Sequence, residues 1–334
     1  MLSPPITVPI AFVHRMLQGL RSRGEGCGAY LEEAGIANGL LQHSGARVTA
    51  GQYAALFRLL IERRNDEMLG LLSRPMKRGS LALLGRSALS APTLEVALRR
   101  FAHNFGLLQD DLALVPVRDR GLAGMAMRFA DPAAAQPLFL HELLLRVVWR
   151  LLAWFAGGHL EAARFDFGFT CPPYAASYAK VFPAPLIFDA GESAFWFDAA
   201  RLTDPVRRDE AALRVFLADA QANIIVPSRS DHTISARLRM LLQTRSDWPG
   251  LENAAAALNM SNSTLQKHLA NEGTSFQSLK DTLRRDIAVV RLNTSSVSLA
   301  ALADELGFAD SAAFQRAFKS WTGSAPGNYR RGGL

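Results

Sequence analysis

The sequence predicts an α+β N-terminal domain, with helices plus a small antiparallel sheet, followed by an all-α domain. In the second domain, two helix-turn-helix units are joined by a long helix. Three observations predict this. A stretch near the C-terminus repeats itself at an offset of 48 residues. Between its two copies, apolar residues recur at steps of three and four. Between residues 112 and 198, short apolar runs alternate at period two and are separated by turn residues.

A chain of 334 residues is long enough for two domains. Its hydrophobic content of 49% and charged content of 20% suit a packed globular core and exclude disorder as the default reading. The net charge of +7 permits contact with a polyanion. Charge alone does not locate that contact, because residues 230–334 carry 12 Lys/Arg against 9 Asp/Glu and the rest 25 against 21, so the excess is spread along the chain. Cys27 and Cys171 form no CxxC and have no zinc-site spacing, so no metal or cofactor is expected, and a reducing cytoplasm fits. The start Met1-Leu2-Ser3-Pro4-Pro5 lacks the basic and apolar regions of a signal peptide. Leu138 to Phe155 is strongly apolar but contains His141, Glu142, Arg146 and Arg150. Each charged residue would cost about 2.5–3.5 kcal/mol at mid-bilayer. A buried or partner-facing soluble helix is therefore expected, and no membrane contact.

The first hundred residues read as successive helices, with Phe12, Leu17 and Leu20 on one face and Tyr53, Leu56, Phe57 and Leu60 on another. Thr49 and Thr93 are placed to cap two of them. Leu112–Val115 and Met125–Phe129 flank Asp119-Arg-Gly121, the pattern of a hairpin. Arg164–Phe169 alternates at period two, and Leu186–Phe188 and Ala194–Phe197 are two further strand-like pieces around a Tyr-rich turn at Tyr174 and Tyr178. Arg207 to Ile225 reads as a closing helix. Pro227-Ser-Arg-Ser-Asp231 reads as the linker, which sets domains at 1–228 and 229–334.

The repeat carries the functional argument. Leu251, Ala255 and Leu258 align with Leu299, Ala303 and Leu306; Leu265 and Leu269 align with Phe314 and Phe318. Each copy has a short helix with small residues and a turn at Asn259-Met260 or Gly307-Phe308. A second helix follows, capped by Ser261 or Asp310. Phe276, Leu279, Leu283, Ile287 and Val290 form one stripe of the helix between them, with Thr274 and Gln277 as a capping box. A rigid spacer of this kind suits two recognition helices that enter successive major grooves about 34 Å apart.

Residues 233–331 resemble the DNA-binding region of the AraC/XylS transcription regulators, most densely over Leu306-Gly-Phe and Phe314-Gln-Arg-Ala-Phe-Lys through Gly323, Pro326 and Tyr329-Arg330. The first copy departs from the family habit in having Lys267 where Arg is common. Pro92–Leu98, Cys171-Pro-Pro-Tyr174, Phe182, Phe188 and Phe197-Asp198 resemble the arabinose-binding-like N-terminal regulatory domain of such proteins. The resemblance implies an N-terminal domain that binds a small-molecule effector, dimerises, or both. It also implies a C-terminal domain that grips double-stranded promoter DNA and meets RNA polymerase when it activates.

The faces expected at DNA are Asn262, Ser263, Thr264, Gln266, Lys267 and His268 in the first unit, and Ser311, Ala312, Gln315, Arg316 and Lys319 in the second. Asn and Gln can pair with adenine, and Lys with guanine or phosphate. Two residues keep a second reading open: Arg316 as a bridge between helices, and His268 as a packing residue. By spacing, Phe308, Phe314, Phe318, Trp321 and Tyr329 are core residues and do not stack on bases. Phe165, Phe167, Phe169, Tyr174 and Tyr178 are core residues or pocket walls. No Ser/His/Asp order, phosphate-cradling glycine loop or metal spacing stands out, so no catalysis is expected. A ligand-independent repressor with a self-associating N-terminal domain is the other reading. The effector-binding residues are not legible.

Overall fold

A computed structural model describes residues 6–158, 160–218, 233–244 and 247–330. In chain order the first elements are β1 (Thr7–Pro9), α1 (Ile10–Met16), α2 (Gln18–Arg21), α3 (Gly28–Glu33), β2 (Arg47–Thr49), α4 (Ala50–Arg64), α5 (Ser80–Leu89) and α6 (Leu94–Leu108). Next come β3 (Leu112–Asp119), β4 (Leu122–Phe129), α7 (Leu138–Phe155), β5 (Arg164–Asp166), β6 (Leu186–Ile187), β7 (Ser193–Asp198) and α8 (Glu210–Ala218). The chain ends with α9 (Ile234–Thr244), α10 (Leu251–Ala257), α11 (Asn262–Asn271), α12 (Phe276–Thr294), α13 (Leu299–Glu305) and α14 (Ser311–Thr322). The expected linker Pro227–Asp231, the end of the helix expected to reach Ile225, and the extreme N-terminus lie outside the described residues.

The chain divides into two compact units. One comprises residues 11–30 and 54–228; the other comprises residues 1–10, 31–53 and 229–334. The first holds a five-stranded sheet in the order β3-β4-β7-β5-β6. Its hairpin turns through Arg120 and Gly121 at φ 44° and 85°, the left-handed pair that matches strand twist. β7 is apolar without alternation, Ala194 to Phe197 being buried throughout, as an interior strand covered on both faces requires. All pairings are antiparallel except β5 with β6, which is parallel and corrects the all-antiparallel expectation there. Gly124 is needed where β4 crosses β7, because a Cβ there would lie 2.0 Å from the carbonyl oxygen of Phe195.

α7 has the bounds read from the sequence, and 15 of its 18 residues are buried. Such burial makes it a core helix, and among the described residues no helix is long and apolar enough to cross a membrane. Two of its polar residues meet hydrogen-bonding groups of neighbouring elements. His141 is hydrogen-bonded to the Ser193 hydroxyl at 2.7 Å and the Ala135 carbonyl at 2.9 Å. Glu142 Oε1 accepts from the hydroxyls of Tyr174, at 3.1 Å, and Tyr178. Phe165, Phe167, Phe182 and Tyr178 are fully buried and pack ring on ring, so the aromatic group fills core.

The second unit contains a correction to the all-helical reading of the first hundred residues. β1 and β2 form a separate antiparallel pair, Val8 opposite Val48, that packs on α12. Both strands are three residues long, too short for a period-two signal to register. Thr49 does cap α4, accepting from the Gln52 amide at 3.1 Å, and Thr93 caps α6.

Candidate nucleic-acid interface

The two repeat copies fold into the same local structure because the same backbone bonds close them. After α10, Asn259 takes φ 57° and the Met260 amide donates to the Ala255 carbonyl at 2.9 Å. After α13, Gly307 takes φ 69° and the Phe308 amide donates to the Ala303 carbonyl at 2.9 Å. Asn and Gly are the residues that tolerate this left-handed turn. Ala255 and Ala303 are buried, and a larger side chain at either would hold the paired helices apart.

Each second helix then opens on its expected cap. Ser261 Oγ accepts from the Thr264 amide at 3.2 Å, and the Asp310 carboxylate from the Ala313 amide at 2.6 Å. Leu265 and Leu269 anchor α11 inward, and Phe314 and Phe318 anchor α14, all four at 0% exposure. Outward from α11 stand Asn262, Ser263, Thr264, Gln266, Lys267 and His268, every one exposed. The hydroxyls of Ser263 and Thr264 also lie 3.0 and 2.8 Å from Ser261 Oγ, so they share in the cap. Outward from α14 stand Ala312, Gln315, Arg316 and Lys319, exposed, with Ser311 half-buried. Among the described residues Arg316 makes no hydrogen bond or ion pair.

Between the units, α12 begins one residue later than its expected cap. Ser275, not Thr274, accepts from the Ser278 amide at 3.1 Å, and Gln277 turns forward to Asp281, so no capping box forms. The buried seam of α12 runs through Leu279, Leu283, Asp286, Val289 and Leu292, while Ile287 and Val290 are only half-buried. Asp286 is the exception in that seam. Its carboxylate accepts from Thr7 Oγ1 at 2.6 Å and Arg285 at 3.0 Å, and lies 3.6 Å from Arg47 Nε. Arg47 in turn donates to the Thr7 hydroxyl at 2.6 Å and to its carbonyl at 2.8 Å. Burial is the main force on the Arg47 guanidinium, lowering its pKa to about 10; Arg285 adds to this and Asp286 opposes it. Gln52 donates to Asn293 at 2.8 Å, and the Arg47 amide donates to the Tyr329 hydroxyl at 3.1 Å. The strand pair thus clasps α12 and the end of the second helix-turn-helix unit.

A second brace is built on Trp248, ahead of α10. Its indole donates to the Glu305 carbonyl at 2.8 Å, and a Cβ on Gly307 would lie 3.0 Å from its ring. Arg284 of α12 sits between the Trp248 and Phe308 rings, 4.9 and 4.8 Å from their centroids. Lys280 donates to the Trp248 carbonyl at 2.7 Å. The segment that leads into the first helix-turn-helix unit is therefore seated on the turn of the second.

Neither brace was read from the sequence. Two signals for them existed: Trp248-Pro249-Gly250 directly before the first copy, and a carboxylate at a seam position of α12. A charge in such a seam needs a buried partner, and periodicity does not say from where.

Two known protein domains match this chain, one in each part. The model of the arabinose-binding domain of AraC transcription regulators, N-terminal, matches residues 24–206. A helix-turn-helix domain matches residues 254–332. The ornithine utilization regulator of Pseudomonas aeruginosa is 26% identical over 325 residues, 97% of this chain and 96% of that protein. The HTH-type transcriptional regulator VqsM of the same organism is 32% identical over 95 residues, 28% of this chain and 29% of its own. Among solved structures, the transcriptional regulator CdpR of P. aeruginosa aligns over 96% of this chain and 98% of its own at 19% identity, with a TM-score of 0.35. With more than half of its length covered by that N-terminal regulator domain and most of the remainder by the helix-turn-helix match, the chain belongs to the AraC family of transcription regulators.

Proposed function

We propose that this regulator reads promoter DNA with α11 and α14 together, and that a small-molecule effector bound in its N-terminal part adjusts that reading. Residues 229–334 supply the DNA contacts and residues 1–228 the effector site and any self-association. The observation that carries the reading is the matched pair of capped second helices, each with anchors buried and a row of mostly polar or basic side chains outward. Gln266 and Gln315 suit adenine, Lys267 guanine or phosphate, and Arg316 and Lys319 add positive charge. An activator of this kind would present DNA-bound surface to RNA polymerase, and it would work in the cytoplasm. A relative named for ornithine utilization supports an effector drawn from amino-acid metabolism.

The test is in-vitro selection of random duplex DNA by the full chain at near-physiological salt, where non-specific phosphate binding is suppressed. Two enriched blocks about 10 base pairs apart are expected, one per recognition helix. Gln266→Ala should relax preference at a single position of the first block, at a cost of about 1–3 kcal/mol, and leave the second block intact. A one-block site, or a Gln266→Ala site identical to that of the parent, would overturn two-groove reading.

A further inference from the structure

The unit formed by residues 11–30 and 54–228 contains a pocket of about 320 Å³ whose walls come from α4, α5, α6 and α7. Its interior is apolar: Phe57, Met68, Met76, Phe101, Phe105 and Leu144 are all buried. The wall between α4 and α5 is fastened before any ligand arrives. The buried Asp66 carboxylate accepts from the amides of Met68 and Met76 at 3.0 Å and of Gly70 at 2.7 Å. The Glu67 carboxylate accepts from the amides of Gly79 and Leu81, both at 2.7 Å, so its two oxygens are committed to holding the start of α5. A preformed, mainly apolar hollow with a charged border is what small-molecule sites present.

Three charged side chains border the pocket and are exposed: Arg58, Glu62 and Arg78. Among the described residues none of their side chains makes a hydrogen bond or ion pair. Arg58 and Glu62 stand four apart on α4, a spacing at which opposite charges often close on each other, yet they do not. The border therefore offers two guanidiniums and one carboxylate without a hydrogen bond or salt bridge, Arg78 lying in the field of the Glu67 carboxylate, above an apolar interior. A simple carboxylic amphiphile would leave Glu62 facing its acid group, and a simple amine would face two arginines. A molecule with both charges side by side and an apolar body satisfies all three.

We propose that this pocket binds an α-amino acid with a large apolar side chain. The ligand carboxylate meets Arg58 and Arg78, its ammonium meets Glu62, and its side chain enters between α4, α6 and α7. The proposal rests on the effector reading above and specifies its site and ligand class.

The experiment uses the full chain with four probes: L-phenylalanine, L-leucine, octanoate and octylamine. Binding is read by calorimetry and by the shift in Tm, which a ligand of the native state raises by mass action. The two amino acids should bind and the two single-charge probes should not. Glu62→Gln and Arg78→Gln, both exposed, should each weaken amino-acid binding about tenfold or more with unchanged Tm in the absence of probe. Leu144→Trp, which fills the interior, should abolish binding. Octanoate binding as tightly as phenylalanine, or binding unaffected by Glu62→Gln, overturns the proposal, as does the absence of any amino-acid binding. DNA affinity measured in the same samples separates the two levels. Amino-acid binding that obeys the variants but leaves DNA affinity unmoved upholds the pocket and overturns its role as effector site.

Discussion

Asp286→Ala is expected to destabilise the unit that carries both helix-turn-helix turns by about 3–5 kcal/mol, the range found when one partner of a buried ion pair is removed. The side chains of Asp286 and Arg47 are only 3% and 9% exposed. Without the carboxylate, the Arg47 guanidinium stays buried beside Arg285 with no counter-charge, and the Thr7 hydroxyl loses its acceptor. Hydrogen exchange of the α12 amides in the full chain is the suitable readout, because it reports on this unit alone. The double replacement Asp286→Leu with Arg47→Met should cost less than Asp286→Ala, since it removes the stranded charge and leaves apolar bulk. A cost below about 1 kcal/mol for Asp286→Ala would mean that the clasp does not hold α12. The same geometry predicts that residues 229–334 made alone are less stable than in the full chain. That fragment lacks Thr7, Arg47 and Gln52, and so exposes Asp286, Asn293 and the Tyr329 hydroxyl.

Glu142 gives the second large effect, and it depends on pH. Burial is the main cause that raises its carboxyl from 4.5 to about 7, the hydrogen bonds from Tyr178 and Tyr174 and the charge of Arg15 opposing the shift. Its Oε2 is buried with no hydrogen-bond partner among the described residues. The folded chain therefore holds a proton here that the unfolded chain gives up near 4.5. Stability is fully present below that pH, falls as pH rises from about 4.5 to about 7, and is flat above. Across that window the loss is about 3 kcal/mol at 1.36 kcal/mol per pH unit. Glu142→Gln keeps the acceptor for both tyrosines and removes the titration. Urea midpoints of parent and variant at pH 5 and pH 8 should diverge in the variant's favour at the higher pH. A parent–variant difference that is the same at both pH values would show that Glu142 does not take up its proton on folding.

What could be read in advance follows from how local each determinant is. The two turns, their caps at Ser261 and Asp310, the anchors Leu265, Leu269, Phe314 and Phe318, and the span of α7 all depend on neighbours within a few residues. Periodicity and capping chemistry report such neighbours directly. The hairpin through Arg120-Gly121 belongs to the same class. The start of α12 falls one residue beyond the expected cap because Thr274 and Ser275 are both competent caps, and local capping chemistry does not choose between them.

The repeat is written in the order of residues, and with it come the pair of outward faces and the family of regulators to which the chain belongs. The tertiary structure alone decided what holds those faces in place and where a ligand can enter. Thr7 reaches Asp286 across 279 positions of chain, Gln52 reaches Asn293 across 241, and Trp248 reaches Glu305 across 57. The pocket likewise draws its walls from helices that begin at Ala50 and end at Phe155. Contacts so distant leave no periodic trace in one sequence. They exist because a buried charge must find its counter-charge wherever folding brings one, and because a cavity is bounded by faces that meet only after the core has closed.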